Sequence, residues 1–279
     1  MVPSYPWVEY PHNELLNEYE KLKDKIAKSH VEFPIQYSYI GLKCSNIFFQ
    51  KERMKTPSQN KISNYDFWKI RKNRLKVKAH AKISGRNLFS TLRFFNHPPA
   101  QFPVFTAAMV YKHFKATRVF DPFAGWGDRC LAAMACNIEY LGVDMNDKLK
   151  SPYDKMLEYY PSDSKNVAIG YMSSGDFDIK KAKFYFVFTS PPFWNDKFGL
   201  VEKYNDTDTD YDEFMLNILI PVLKKCMEKG VWVCVYIPTN MYTYIVKYIG
   251  KCKKQLKFNS PSNTKNSSTN NNIIYCFRN

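Results

Sequence analysis

No stretch of eighteen consecutive apolar residues occurs in the 279 residues, so a helical membrane span is not expected. The opening MVPSYPWVEYPHNELL has neither a basic leader nor an apolar signal core, so secretion is not expected and an intracellular protein, cytoplasmic or nuclear, is. Metal spacings are missing too. The seven cysteines (Cys44, Cys130, Cys136, Cys226, Cys234, Cys252, Cys276) form no CxxC pair and are odd in number, so they read as core thiols and not as a zinc site or a disulfide framework. The five histidines are scattered without an HxxxH pair, and no metal is expected. Acid is also scarce, at 26 Asp+Glu against 41 Lys+Arg, a formal charge of +15.

That scarcity is local. Residues 1–118 hold 21 basic and 8 acidic side chains, net +13, whereas residues 119–279 hold 20 and 18, net +2. From Lys69 to Arg93 there are nine cations (Lys69, Arg71, Lys72, Arg74, Lys76, Lys78, Lys82, Arg86, Arg93) and no acid. A lysine- and asparagine-rich composition explains abundant lysine but not its clustering, so the segment is expected to meet a polyanion, nucleic acid above all.

What is present is a globular composition, 45% hydrophobic and 16% aromatic. The length accommodates one large domain and a small module, and the expected division is a basic helical module over 1–86 and a catalytic domain over 87–279. In the first part, NELLNEYEKLKDKIAKSH spaces Leu15, Leu16, Tyr19, Leu22 and Ile26 as an amphipathic helix, and SNYDFWKIRKNRLKVKAHA reads as a second helix capped by Ser63. From about Leu88, short apolar strands alternate with helices, which predicts a mostly parallel α/β sheet. The strands read as RVFDPF, EYLGVD, NVAIGYM, FYFVFTS, GVWVCVYIP, QLKF and IIYCF, and the helices as DRCLAAMAC, SPYDKMLEYY, YDEFMLNILIPVLKKCMEK and MYTYIVKYIG. SPSNTKNSSTNNN is too polar to pack and reads as a loop.

Two segments carry chemistry. RVFDPFAGWGDR leaves a strand through Gly125 and Gly127 into a helix, where positive φ and close ligand approach favour glycine, and Asp144 ends the second strand where an acid can take two ribose hydroxyls. The third glycine of GxGxxG is Cys130, and Asp121-Pro122 precedes the glycines, which disfavours a nicotinamide or flavin dinucleotide. The second segment is FYFVFTSPPFW. A buried strand breaks directly into Ser190-Pro191-Pro192-Phe193 at its C-terminal end, the edge where open α/β sheets hold ligands.

The DPFAGWG loop resembles motif I, and TSPPF motif IV, of S-adenosylmethionine-dependent DNA amino-methyltransferases of the N4-cytosine and N6-adenine type. The resemblance covers roughly residues 88–240 and implies a Rossmann-like class I methyltransferase with a mostly parallel seven-stranded sheet. It implies S-adenosyl-L-methionine as cofactor, with Asp121, Pro122, Phe123, Gly125 and Gly127 at its methionine portion, Asp144 at the ribose, and Asp176 and Phe177 at the adenine. It further implies a catalytic base site of Ser190, Pro191, Pro192 and Phe193. There an acceptor hydroxyl, a proline-fixed carbonyl and a stacking ring would hold a flipped base with its amino lone pair aimed at the sulfonium methyl. RFFNHPPAQFP resembles motif X, with Phe89, Asn96, His97 and Pro98 near the cofactor.

The Ser-Pro-Pro-Phe form is typical of N4-cytosine enzymes, although most of those are circularly permuted relative to the motif order here. Cytosine N4 in DNA is therefore the first expectation and adenine N6 the second. An RNA base or a protein glutamine, and a non-catalytic nucleic-acid-binding subunit, stay open. Lys69, Arg71, Lys72, Arg74, Lys76, Lys78, Lys82 and Arg86 are expected to hold the phosphate backbone. The acid-rich stretch Asn195–Asp210 is expected to be a lid, not a sequence reader. A second subunit or a homodimer is expected to supply target recognition.

Overall fold

All seven expected strands form, each within two residues of its sequence reading at either end: β1 (Arg118–Asp121), β2 (Glu139–Asp144), β3 (Val167–Tyr171), β4 (Phe186–Thr189), and then, after a small hairpin of β5 (Trp194–Asn195) and β6 (Gly199–Leu200), β7 (Trp232–Tyr236), β8 (Lys254–Phe258) and β9 (Asn272–Phe277). The structure, a computed structural model, describes residues 4–58, 62–161, 163, 166–195, 199–200, 210–259 and 272–279. Most of the expected lid and nearly all of the expected polar loop before β9 lie outside the described residues.

The sheet order is β3-β2-β1-β4-β7-β9-β8. The first five strands in this order pair in parallel, and β9 enters antiparallel to both β7 and β8. The order reverses between β1 and β4, the kind of crevice where open α/β sheets bind ligands. Alternate residues of the central strands face opposite layers. Val119, Tyr140, Phe186 and Phe188 enter one apolar cluster, and Phe120, Val143, Val187 and Val233 enter the other.

The second layer is α9 (Tyr211–Phe214), α10 (Ile220–Met227) and α11 (Thr239–Ile249). A π-helical turn over Met215–Leu219 joins α9 to α10, just before Pro221, which has no N–H to donate to the ladder. The first layer is built in part by residues that the sequence pattern assigned to a separate module. Here α1 (His12–Lys28) and α2 (Leu42–Lys55) pack with α6 (Val104–His113), α7 (Asp128–Ala135) and α8 (Lys150–Tyr159). Tyr19, Leu22, Ile26, Ile35, Cys44 and Phe49 share one cluster with Val119 and Leu131, so residue 86 does not divide the core.

Ile35 also joins the sheet margin. Its N–H donates to Lys257 O at 2.9 Å, and its carbonyl accepts from Asn259 N at 2.9 Å. A smaller cluster of Tyr5, Met54, Trp68, Val77, Phe89 and Leu92 ties the basic region down. The single helix expected over 63–81 is two, α3 (Asn64–Lys69) and α4 (Arg71–Ser84), because Ile70 is extended (φ −69°, ψ 116°). Ser63 caps α3 as expected, accepting from Asp66 N at 2.9 Å. After α4 the chain turns at Gly85 into α5 (Leu88–Phe95).

Candidate functional site

At the C-terminal ends of β1, β2 and β4 lies a cleft of 1240 Å³. It is larger than the ~300–1000 Å³ that one small ligand fills, so there is room for a second group beside a cofactor. Both expected motifs open into it: Phe123, Gly125 and Asp144 line one part, and Ser190, Pro191, Pro192 and Phe193 another. His97 and Pro98 line it as well.

The loop after β1 is held from below. Asp121 is fully buried, and its carboxylate accepts from Phe123 N (3.3 Å), Arg129 Nε (2.7 Å) and Nη2 (3.3 Å), Tyr140 OH (2.7 Å) and Thr189 Oγ1 (2.7 Å). These donors exhaust a carboxylate's acceptor positions. Asp121 and Pro122 are absent from the cleft lining, which corrects the expectation that they meet the cofactor. Asp121 instead couples the loop to Thr189, the residue before Ser190. Burial works to lower the pKa of the Arg129 guanidinium, but the Asp121 carboxylate beside it outweighs that and holds it above its ordinary range. Arg129 also donates to the carbonyls of Phe123 and Ala124.

The two glycines part company. Both have positive φ, +61° at Gly125 and +75° at Gly127. A Cβ on Gly125 would come no closer than 3.8 Å to other atoms, whereas one on Gly127 would lie 2.5 Å from the Phe49 ring. Gly125 therefore offers bare backbone to the cleft. Gly127, which does not line it, is glycine because α2 presses against it.

Asp144 Oδ2 accepts from Gly125 N at 2.7 Å and Oδ1 from Asn146 N at 2.9 Å, leaving each oxygen further acceptor capacity. Burial raises the Asp144 carboxyl pKa above its ordinary value, against the lowering effect of those two N–H groups. Asp176 is exposed and Phe177 stacks on Phe120 with ring centroids 5.4 Å apart; neither lines the cleft, contrary to expectation. Ser173 and Ser174 occupy that stretch, Ser174 donating to Pro122 O. The chain turns inward two residues earlier than the Gly-Asp-Phe match implied. Phe89 and Asn96 are buried away from the cleft, in the small aromatic cluster and against Ile62 O respectively.

At the second motif, Phe193 packs edge-on against Tyr236 with centroids 5.2 Å apart. The Tyr236 hydroxyl donates to Asn272 Oδ1 at 2.9 Å, and burial pushes its pKa up to about 12. Sequence reasoning missed Tyr236, Phe102, Gln101 and Asp128, all in the lining. Asp128 follows Gly127 directly. Its buried carboxylate accepts from Ser45 Oγ, Gln101 Nε2 (3.0 Å) and Phe102 N (3.0 Å). Burial pushes its pKa up to about 6, more than those hydrogen bonds lower it.

Of the nine clustered cations only Arg93 lines the cleft. Arg71, Lys72, Lys78 and Lys82 are exposed on or beside α4. Lys76 lies over the Phe95 ring at 4.8 Å, and Arg86 over Phe94 at 6.0 Å. Two of the eight expected phosphate contacts are engaged by other groups of the chain: Lys69 pairs on the surface with Asp66 at 3.0 Å, and Arg74 donates to Trp68 O and Lys69 O at the end of α3. Among the described residues no group of three or more His, Cys, Asp or Glu could hold a metal, and no helix is long and apolar enough to cross a membrane.

No protein-family model and no curated protein matches the chain. Several solved structures are similar at low identity. TrmN from Thermus thermophilus is 12% identical over 63% of this chain and 48% of its own, with a TM-score of 0.45. An S-adenosylmethionine-dependent O-methyltransferase from Thermotoga maritima is 12% identical over 64% and 66%, at 0.43. The methyltransferase subunit of a type I restriction-modification system from Streptococcus thermophilus is 12% identical over 64% and 44%, at 0.42. The chain spans about half the length of the first and the last of these. Its own seven-stranded order, with six strands running one way and the reversed β9 set between β7 and β8, is that of a Rossmann-like class I methyltransferase fold.

Proposed function

We propose that the chain is an S-adenosylmethionine-dependent methyltransferase that modifies an exocyclic amino group of a nucleic-acid base, cytosine N4 in DNA before adenine N6. The observation that carries this reading is that the Ser190–Phe193 segment and the Gly125–Asp144 pair line one cleft. The residues fit the cofactor: Gly125 leaves space that a side chain would fill, and both Asp144 oxygens keep acceptor capacity for ribose hydroxyls. The cofactor supplies an electrophilic methyl group on a sulfonium.

Everything else falls to the protein. An exocyclic amine is a poor nucleophile because its lone pair is delocalised into the ring. The Ser190 hydroxyl and a carbonyl of the Pro191-Pro192 turn accept its two hydrogens, which favours a pyramidal nitrogen, while Phe193 gives the base a face. Thr189, tied to Asp121, fixes where Ser190 begins. No base is required before transfer, since the nitrogen gains positive charge first and releases a proton afterwards. The exposed cations of α4 and Arg86 supply attraction to phosphate.

Labelled S-adenosylmethionine is offered with DNA, RNA or protein, and the product is identified by mass spectrometry after digestion. N4-methylcytosine is expected. N6-methyladenine would move the target within the class, and transfer to protein alone would overturn the reading. Absence of calorimetric cofactor binding would leave a non-catalytic nucleic-acid-binding subunit. Ser190→Ala and Phe193→Ala should each lower turnover, Ser190→Ala by roughly 100-fold, with cofactor affinity intact. Asp144→Ala should weaken the cofactor at least about tenfold, the worth of a hydrogen bond to a charged group.

A further inference from the structure

The cleft mouth carries large rings that the chemistry above does not use. Tyr39 is 66% exposed and Phe94 55% exposed, although both line the cleft. Tyr37 meets Tyr39 edge-on at 4.7 Å and lines the cleft too. Two arginines and a histidine lie beside Phe94. Arg93 is the neighbour of Phe94 and lines the same cleft, the Arg86 guanidinium lies 6.0 Å from the Phe94 ring, and His80 of α4 stacks on it at 5.6 Å. The Phe94 ring thus stands where the basic helix runs into the cleft.

Water-exposed aromatic faces interleaved with cations suit a strand whose bases are unstacked: the rings take base faces and the cations take phosphates. A duplex offers the phosphates but not the base faces, since its bases are already stacked on one another and only their groove edges are open. We infer that the rim of the cleft, with Tyr39 and Phe94 as stacking rings and Arg93 and Arg86 as phosphate contacts, binds single-stranded nucleic acid, so that the target base is presented unpaired. This rests on the proposed function and narrows its substrate class.

The test is fluorescence anisotropy on the full chain with a labelled 20-nucleotide single strand, as DNA and as RNA, and with the blunt duplex of the same sequence. The single strand should bind at least about tenfold tighter than the duplex. Tyr39→Ala and Phe94→Ala should each weaken it by roughly 5- to 150-fold, the range for one base stacked on one ring. Tyr39→Phe and Phe94→Tyr should retain binding, and duplex affinity should not change in any of the four. The DNA and RNA arms tell which sugar the rim accepts. Equal or tighter duplex binding, or single-strand binding indifferent to both alanine variants, would overturn the inference. Calorimetric cofactor affinity, measured on the same variants, should stay at the wild-type value; its absence in the wild type would instead defeat the methyltransferase reading, which the anisotropy does not depend on.

Discussion

Replacing Asp121 with alanine should all but unfold the protein. Asp121 and Arg129 are 0% and 5% exposed, and they meet at 2.7 Å. Removing one partner of such a pair leaves a buried charge uncompensated, at a cost of about 3–5 kcal/mol. The hydroxyls of Tyr140 and Thr189 lose their acceptor as well, each at about 1–3 kcal/mol, and these costs overlap because neighbours relax together. A net loss of about 5 kcal/mol is therefore expected, against a total stability of roughly 5–15 kcal/mol for a folded domain. The assay is urea unfolding followed by far-UV circular dichroism. Asp121→Asn, which keeps shape and part of the hydrogen bonding, serves if the alanine variant does not fold. The paired change Asp121→Leu with Arg129→Met should lose less than Asp121→Ala alone, since it removes both charges together. A loss under about 1 kcal/mol for the alanine variant would refute the account of this hub.

Gly127→Ala should cost several kcal/mol in the same assay, because its methyl group would enter the Phe49 ring. Gly125→Ala should cost only the ~1–2 kcal/mol of positive φ, yet weaken the cofactor in calorimetry; similar stability losses for the two would contradict their separate roles. Asp128 holds its proton up to about pH 6 when folded, against an ordinary value of 3.8. Between those pH values the folded state binds a proton that the unfolded chain has released, so stability should fall as pH rises through this window, by at most about 3 kcal/mol, and level off above it. Asp128→Asn should abolish that slope in urea midpoints measured from pH 3.5 to 7, and parallel profiles would count against it. Reversing Lys72, Lys76 and Lys82 to Glu should reduce nucleic-acid affinity at low salt and flatten its dependence on salt concentration.

The strands were legible because each is a short apolar run ended by turn chemistry, and the mostly parallel pairing followed from helices alternating with them; the order of the strands across the sheet was not read. The helix α2 was not legible. Its buried face includes Ser45, Asn46, Gln50 and Arg53, so apolar periodicity does not mark it, although this is the helix that touches Gly127. Nor was α6, where Val104 through Tyr111 are all buried and no polar face alternates with an apolar one. The base turn and Asp144 could be read from their places at strand ends. The true part of Asp121 could not, because Thr189 and Tyr140 lie 68 and 19 residues away and only the parallel pairing of β1 with β2 and β4 brings them to it.

The single residue of pairing that Ile35 makes with the margin of β8 has a bearing on solubility. An outermost strand is a ready template for a strand from another molecule, and proteins blunt such margins by covering them or by placing lysine there. Ile35 satisfies the main chain around Phe258, while Lys254 and Lys257 charge the rest of β8. Ile35→Pro, which removes the N–H that donates to Lys257 O, would open this margin at Phe258, and self-association through β8 would be the first fault to look for in it.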